Sequence, residues 1–212
     1  MITIERARTY YADDDAAHGF EHVLRVWQLA KRIAVEEGAD LAIVKAAALL
    51  HDVARPDEQS TGVCHARASA QRAHQILRGC PANSVSAVAQ AIDQHRFRGS
   101  QEPTTLEARV LFDADKLDAL GAIGVARAYA VAGAQGQRLW AQVDATYADR
   151  EPQEGLDDIQ RMGHTPVHEY RFKLSRLAAR LYTQTGKRIA SQRHLFMRAF
   201  FEELDKEVAG RA

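Results

Sequence analysis

"LAIVKAAALLHD", residues 41–52, runs almost without interruption through apolar side chains and ends on a histidine beside an aspartate. The apolar part is about half the length a bilayer span requires, so it reads as a core helix over 40–53 with Asp40 as its N-cap. Leu41, Val44 and Ala48 mark the inward face, and His51 follows Val44 and Ala48 at the same period. Two polar groups that are costly to bury therefore arrive where the helix meets its core.

Away from this stretch, apolar residues at three- and four-residue spacing recur almost throughout, while Val, Ile and Thr never alternate with polar residues over a convincing strand length. The chain reads as all-α. Helices are expected over 18–37 (closed by Gly38), 65–78 (closed by Gly79), 82–97, 105–120, 122–133, 137–147, 166–185 (closed by Gly186) and 188–208. Thr104 with Glu107 has the spacing of a capping box. "RPDEQSTG", "RFRGSQEP" and "YADREPQEGLDDIQRMGHTP" read as loops, the last as a candidate lid. With no repeat, low-complexity tract or flexible linker, the 212 residues are expected to form a single domain.

Twenty-eight basic residues balance twenty-eight acidic ones, so no global field draws in nucleic acid or an anionic membrane, and any phosphate binding must be local. The opening "MITIERARTYYADDD" lacks the apolar segment of a signal peptide, and a cytoplasmic location is expected. Cys64 and Cys80 bracket a helix that would hold them roughly 24 Å apart, so both are expected as free thiols.

The helical period carries further donors inward. Four residues before Val26 lies His22; Val88, Ala91 and Ile92 lead to His95; Leu111 leads to Asp115 and Asp118; His65 opens the helix containing Ala68, Ser69 and Ile76. A single histidine on an apolar face is usually a core residue satisfied by a carbonyl or water. Six groups, His22, His51, Asp52, His65, His95 and Asp115, are harder to satisfy separately, because each buried carboxylate costs several kcal/mol without a partner. A shared cation satisfies them together. Imidazole and carboxylate donors without thiolate suit Mn²⁺, Fe²⁺, Co²⁺, Ni²⁺ or Mg²⁺ better than a structural zinc, with Zn²⁺ open in a catalytic site. His22, His51, Asp52 and Asp115 make one ligand set. His65 and His95 either complete a second metal site bridged by Asp52 or bind phosphate oxygens.

This ordered set, with "EHVLRV" around the first histidine, "LLHD" at the doublet and "DADKLDALGAIG" around the last aspartate, resembles the HD-domain superfamily of metal-dependent phosphohydrolases. "HARASAQRAHQIL", "AIDQHRF" and the tail from "HEYRFKL" onward extend the likeness to the small stand-alone bacterial members of the YedJ and YpgQ type. The resemblance implies a helical bundle with additional C-terminal helices, a metal-binding core over about 18–125 and a C-terminal part over about 126–210. It also implies hydrolysis of a nucleotide or related phosphate ester or anhydride, with one or two divalent ions. By position, His22, His51, Asp52 and Asp115 match the defining ligands, and His65 and His95 match the extra histidines of two-metal members. Two positions depart from the pattern: Arg55 stands where nucleoside monophosphatase relatives often carry a carboxylate proton donor, and Gly19 where an aspartate is common.

In the resulting mechanism Asp52, with His65 and His95, forms the catalytic group, Asp52 orienting a metal-activated water. Arg25 and Arg55 could clamp phosphate or pair with Asp118, Asp52 or a surface carboxylate. Lys116 would support substrate at the cleft edge, His18 either lines the cleft or is exposed, and Asp118 would accept an imidazole N–H. His168 and Lys173 are expected near the substrate region or in packing, and His74, His164 and His194 as surface or structural residues. A small phosphorylated partner, in the first place a nucleotide, is expected, with no stable nucleic-acid or membrane binding. Two other readings share the ligands: a di-iron oxygenase and a non-catalytic nucleotide sensor.

Overall fold

Asp40 accepts the backbone N–H groups of Ala42 and Ile43 at 2.8 and 3.1 Å, and a helix over Leu41–Leu50 starts there. Two of the donors that a first turn leaves orphaned are thereby satisfied, as the expected N-cap requires. Val44, Ala46, Ala47, Ala48, Leu49 and Leu50 are all buried, so this helix is enclosed on nearly every side. A helix with so little polar surface is stable only inside a bundle.

The computed structural model describes residues 1–12, 19–96, 102–144 and 163–211. The helices in chain order are α1 (Ile4–Arg8), α2 (Phe20–Glu37), α3 (Leu41–Leu50), α4 (Arg55–Thr61), α5 (His65–Ile76), α6 (Ala82–Asp93), α7 (Leu106–Leu117), α8 (Gly121–Ala134), α9 (Pro166–Glu169), α10 (Ser175–Leu177) and α11 (Gln184–Val208). A π-helical turn, Tyr170–Leu174, joins α9 to α10, and a 3-10 turn, Ala178–Arg180, follows. The fold is all-α, with no strand among the described residues. No single helix among them is long and apolar enough to cross a membrane. Cys64 and Cys80 are free thiols.

Two compact units emerge from the packing, Met1–Asp118 with Leu181–Gly186, and Ala119–Arg180 with Lys187–Ala212. In the first, α3 packs against α1, α2, α5, α6 and α7, while α5 lies on α6 and α2 on α7. Val26 and Ile33 of α2, Val88 and Ile92 of α6, and Leu111 and Leu117 of α7 are fully enclosed with it. Burying each such side chain contributes about 1.5–3 kcal/mol. The 182–183 segment is tied to α7 by Asp113, which accepts the backbone N–H of Tyr182 at 2.9 Å and both the N–H and hydroxyl of Thr183 at 2.7 and 2.6 Å.

In the second unit α8 packs on α9, Tyr170 stacks on Phe201 with ring centroids 4.2 Å apart, and the Trp140 indole donates to Asp205 at 2.7 Å. Glu169 is gripped by Lys173 at 2.7 Å and lies 3.6 Å from buried His164. Burial alone would raise its carboxyl, but Lys173 and His164 hold it down at about 2.

Several local expectations change. "RPDEQST" is not a loop but helix α4, with Pro56 in its first turn followed by Asp57 and Glu58, residue types that favour a helix start. Thr105, not Thr104, caps α7, accepting the N–H of Ala108, and Glu107 instead accepts the Asp40 backbone N–H. Of the helix expected over 137–147, the described part to 144 is not helical: Gly136, with φ of 65°, ends α8. Beyond it Ala141 and Val143 are buried while Gln142 and Asp144 are exposed, a period of two. The break expected at Gly186 is absent, because α11 runs through it. A β-carbon there would lie 2.4 Å from Asp113 Oδ2 and 2.7 Å from Thr183 Oγ1, so the glycine serves close packing rather than helix termination. The single helix expected over 166–185 is a succession of short helical turns. Most of the candidate lid, all of 145–162, lies outside the described residues, as does 97–101.

Candidate metal centre

Helix C-termini leave their last carbonyl oxygens without N–H partners inside the helix, open to groups beyond its end. Two of these oxygens orient histidines. His51, the C-cap of α3, places Nδ1 2.9 Å from the Ala48 carbonyl, and His95, just beyond α6, places its Nδ1 2.5 Å from the Ile92 carbonyl. A carbonyl only accepts, so Nδ1 carries the proton and Nε2 is left with a lone pair. Two further histidines are oriented by carboxylates: His22 Nδ1 lies 2.7 Å from Asp118 Oδ2, and His65 Nδ1 lies 2.6 Å from Glu58 Oε2. All four imidazoles thus have Nδ1 committed to an acceptor.

Their Nε2 atoms turn toward one carboxylate, that of Asp52 in the turn after α3. Asp52 Oδ2 lies 3.9 Å from His22 Nε2 and 3.8 Å from His51 Nε2, while Oδ1 lies 3.5 Å from His65 Nε2 and 3.7 Å from His95 Nε2. Each oxygen faces one histidine pair. Asp115, on α7, brings Oδ1 to 3.4 Å from His22 Nε2 and 3.9 Å from His51 Nε2. The two trios His22–His51–Asp52 and Asp52–His65–His95 each gather their donor atoms within 4.8 Å of one another.

Two features of this arrangement fit a cation. Asp52 Oδ1 is buried and has no hydrogen-bond partner among the described residues, a cost of several kcal/mol for a charged oxygen unless something else satisfies it. His22 Nε2 and His51 Nε2 stand only 3.3 Å apart although both rings have a partner at Nδ1. Donors held at about 2.1 Å from one ion stand about 3.0–3.4 Å apart, close to these spacings. Burial lowers the pKa of His51 to about 4, with His95 and His22 acting in the same direction, so its ring is neutral and its lone pair is available. Burial likewise lowers His65. Burial alone would raise the Asp52 carboxyl, but His51, His95 and the Arg55 guanidinium hold it well below the usual carboxylate range.

Among the described residues four cations border the cluster, each on one of its carboxylates. Arg25 binds Asp118 through Nε and Nη2 at 2.8 and 3.0 Å, Arg55 Nη1 lies 3.2 Å from Asp52 Oδ2, Arg96 Nη1 lies 2.8 Å from Glu58, and Lys116 pairs with its neighbour Asp115. The three arginine side chains are each about a third exposed. Of the residues singled out in the sequence, the structure brings together His22, His51, Asp52, His65, His95, Asp115, Asp118, Arg25, Arg55 and Lys116. His18 lies outside the described residues. His168 bonds Thr165, and Lys173 pairs with Glu169. Glu58 and Arg96 were not anticipated. Pro56 with the acidic pair that follows was the available signal for Glu58, because it marks a first helical turn.

This geometry has counterparts. The HD domain family matches residues 19–120. A protein of unassigned role from Bacillus subtilis, YpgQ, is 32% identical over 97% of this chain and 94% of its own length. A crystal structure from Lactobacillus plantarum superposes with a TM-score of 0.75 at 32% identity, covering 99% of this chain and all of that one. YpgQ in complex with ADP gives 0.70 at 29% identity, covering 99% and 100%. An HD-superfamily hydrolase from Bacillus thuringiensis gives 0.67 at 28%, covering 97% and 96%. The chain belongs to the HD-domain family and has the fold of the HD-superfamily hydrolases.

Proposed function

We propose that this chain is a metal-dependent phosphohydrolase acting on a nucleotide or a related small phosphate ester or anhydride. The observation that carries the reading is the Asp52 carboxylate, which offers one oxygen to each of two histidine pairs. His22, His51, Asp52 and Asp115 would hold one divalent ion. His65 and His95, sharing Asp52, would hold a second or contact phosphate oxygens beside the first. A nitrogen and oxygen donor set without thiolate suits Mn²⁺, Fe²⁺, Co²⁺, Ni²⁺, Mg²⁺ or a catalytic Zn²⁺.

When bound, such an ion acidifies water and offsets charge on phosphate oxygens. Asp52 orients the attacking water and accepts its hydrogen bond or proton, its depressed pKa keeping the carboxylate ionised for that purpose. Arg25 and Arg55, each a third exposed, can turn part of their guanidinium toward a phosphate while still holding Asp118 and Asp52. Against the upward pull of burial, Lys116 keeps Asp115 ionised, and it adds positive charge beside it. The ADP complex of YpgQ favours a nucleotide substrate.

The test is to purify the protein, measure its metal, and screen nucleoside mono-, di- and triphosphates with Mn²⁺, Co²⁺, Ni²⁺ and Mg²⁺. Asp52→Ala is expected to lower turnover by about 10²–10⁴-fold. Full activity in that variant would reject the mechanism.

A further inference from the structure

We infer that Glu58, held by Arg96, is the positioning residue for the His65–His95 half of the site, the counterpart of Asp118 and Arg25 in the His22–His51 half. This rests on the reading that both halves hold an ion. Each half contains one histidine oriented by a helix-end carbonyl, His51 on Ala48 and His95 on Ile92. Each contains a second histidine oriented by a carboxylate, His22 by Asp118 and His65 by Glu58. Each of those carboxylates is in turn fixed by an arginine, Asp118 by Arg25 and Glu58 by Arg96. Glu58 divides its oxygens, Oε1 to Arg96 and Oε2 to His65, so the guanidinium sets the direction from which the second oxygen meets the imidazole.

The chemistry of that contact fixes one tautomer. With Nδ1–H donated to Glu58, His65 presents the Nε2 lone pair to the side where Asp52 Oδ1 lies 3.5 Å away. Without the acceptor, the proton can occupy Nε2, and the donor facing Asp52 becomes an N–H that no cation can use. The two halves differ in one respect: Asp118 is 1% exposed, whereas Glu58 is 27% exposed. Water competes for Glu58, so the His65–His95 half is the weaker of the two. Attachment of α4 does not depend on Glu58, because Asp57 binds Arg72 of α5 at 2.8 Å and Arg72 donates to the Val53 carbonyl at 2.8 Å.

Co²⁺ titration of the full chain by calorimetry, with the visible absorption of bound Co²⁺ as a second readout, tests this. Wild-type protein is expected to take up two equivalents, one tighter than the other. In Glu58→Ala the weaker equivalent loses about 10–100-fold in affinity while the tighter one is unchanged. Glu58→Gln keeps an acceptor for Nδ1–H and falls between, and both variants retain the wild-type helical spectrum. Two wild-type affinities in Glu58→Ala, equal weakening of both, or a single wild-type equivalent that Glu58→Ala leaves intact would overturn the inference while the metal reading stands. If wild-type protein takes up no Co²⁺ at all, the metal reading falls and this inference with it.

Discussion

Two helical glycines offer the same substitution with opposite expected signs. Gly133 sits in α8, and a β-carbon added there would meet no atom of the described residues within 4 Å, so Gly133→Ala only reduces the freedom of the unfolded chain and improves helix propensity. A gain of about 0.5–1 kcal/mol is expected. Gly186 sits in α11, where the added carbon would lie 2.4 Å from Asp113 Oδ2 and 2.7 Å from Thr183 Oγ1. Neither neighbour can move freely, because Asp113 holds two backbone N–H groups and the Thr183 hydroxyl, and that hydroxyl accepts the Gly186 N–H at 3.0 Å. The same propensity gain is therefore set against overpacking of about 1–3 kcal/mol and weakening of at least one hydrogen bond to a charged group, about 1.5–3 kcal/mol. The net effect of Gly186→Ala is a loss of about 2–4 kcal/mol. Urea unfolding followed by far-UV circular dichroism should move the midpoint down by roughly 1 M for Gly186→Ala and slightly up for Gly133→Ala. Equal stabilisation by both would refute the reasoning, since it would mean that Asp113 does not occupy the space beside residue 186.

Asp118→Asn should weaken metal binding by about 10–100-fold without loss of helical content, because one amide oxygen cannot serve both the His22 ring and the Arg25 guanidinium; competition against a fluorescent chelator measures it. Glu169, held at about 2 in the folded state, contributes stability that is complete above its unfolded value near 4.5 and is lost as pH falls from there toward 2. With allowance for partial solvent screening the effect is about 1–2 kcal/mol, so urea midpoints should fall between pH 7 and pH 3 by more in wild-type protein than in Glu169→Gln.

The all-α class, Asp40 as a cap and the inward positions of His22, His51 and Asp115 were legible because each depends on chemistry repeating at short range along one helix. Helical period carries a donor to the face that packs, whatever the partner is. The same logic failed where a residue's role depends on something distant in the chain. Gly186 has the signature of a helix stop, and only the Asp113 carboxylate shows why the helix needs a glycine and continues. Residues 137–144 contain apolar groups at mixed spacing, and Trp140 reaching Asp205 accompanies the buried Ala141 and Val143 of a non-helical segment. Glu58 lies in a short charged stretch that local composition marks as loop, and it acquires meaning only when His65 and Arg96 close on its two oxygens. Above all, the sequence supplied six inward-facing donors and a grouping of them, His65 and His95 set apart from His22, His51 and Asp115 with Asp52 as a bridge or the two histidines on phosphate, but neither the distances nor which oxygen of Asp52 meets which pair. The division of Asp52 between two histidine pairs, one to each oxygen, follows from how α2, α3, α5 and α6 pack, because tertiary packing alone sets distances between atoms on different helices.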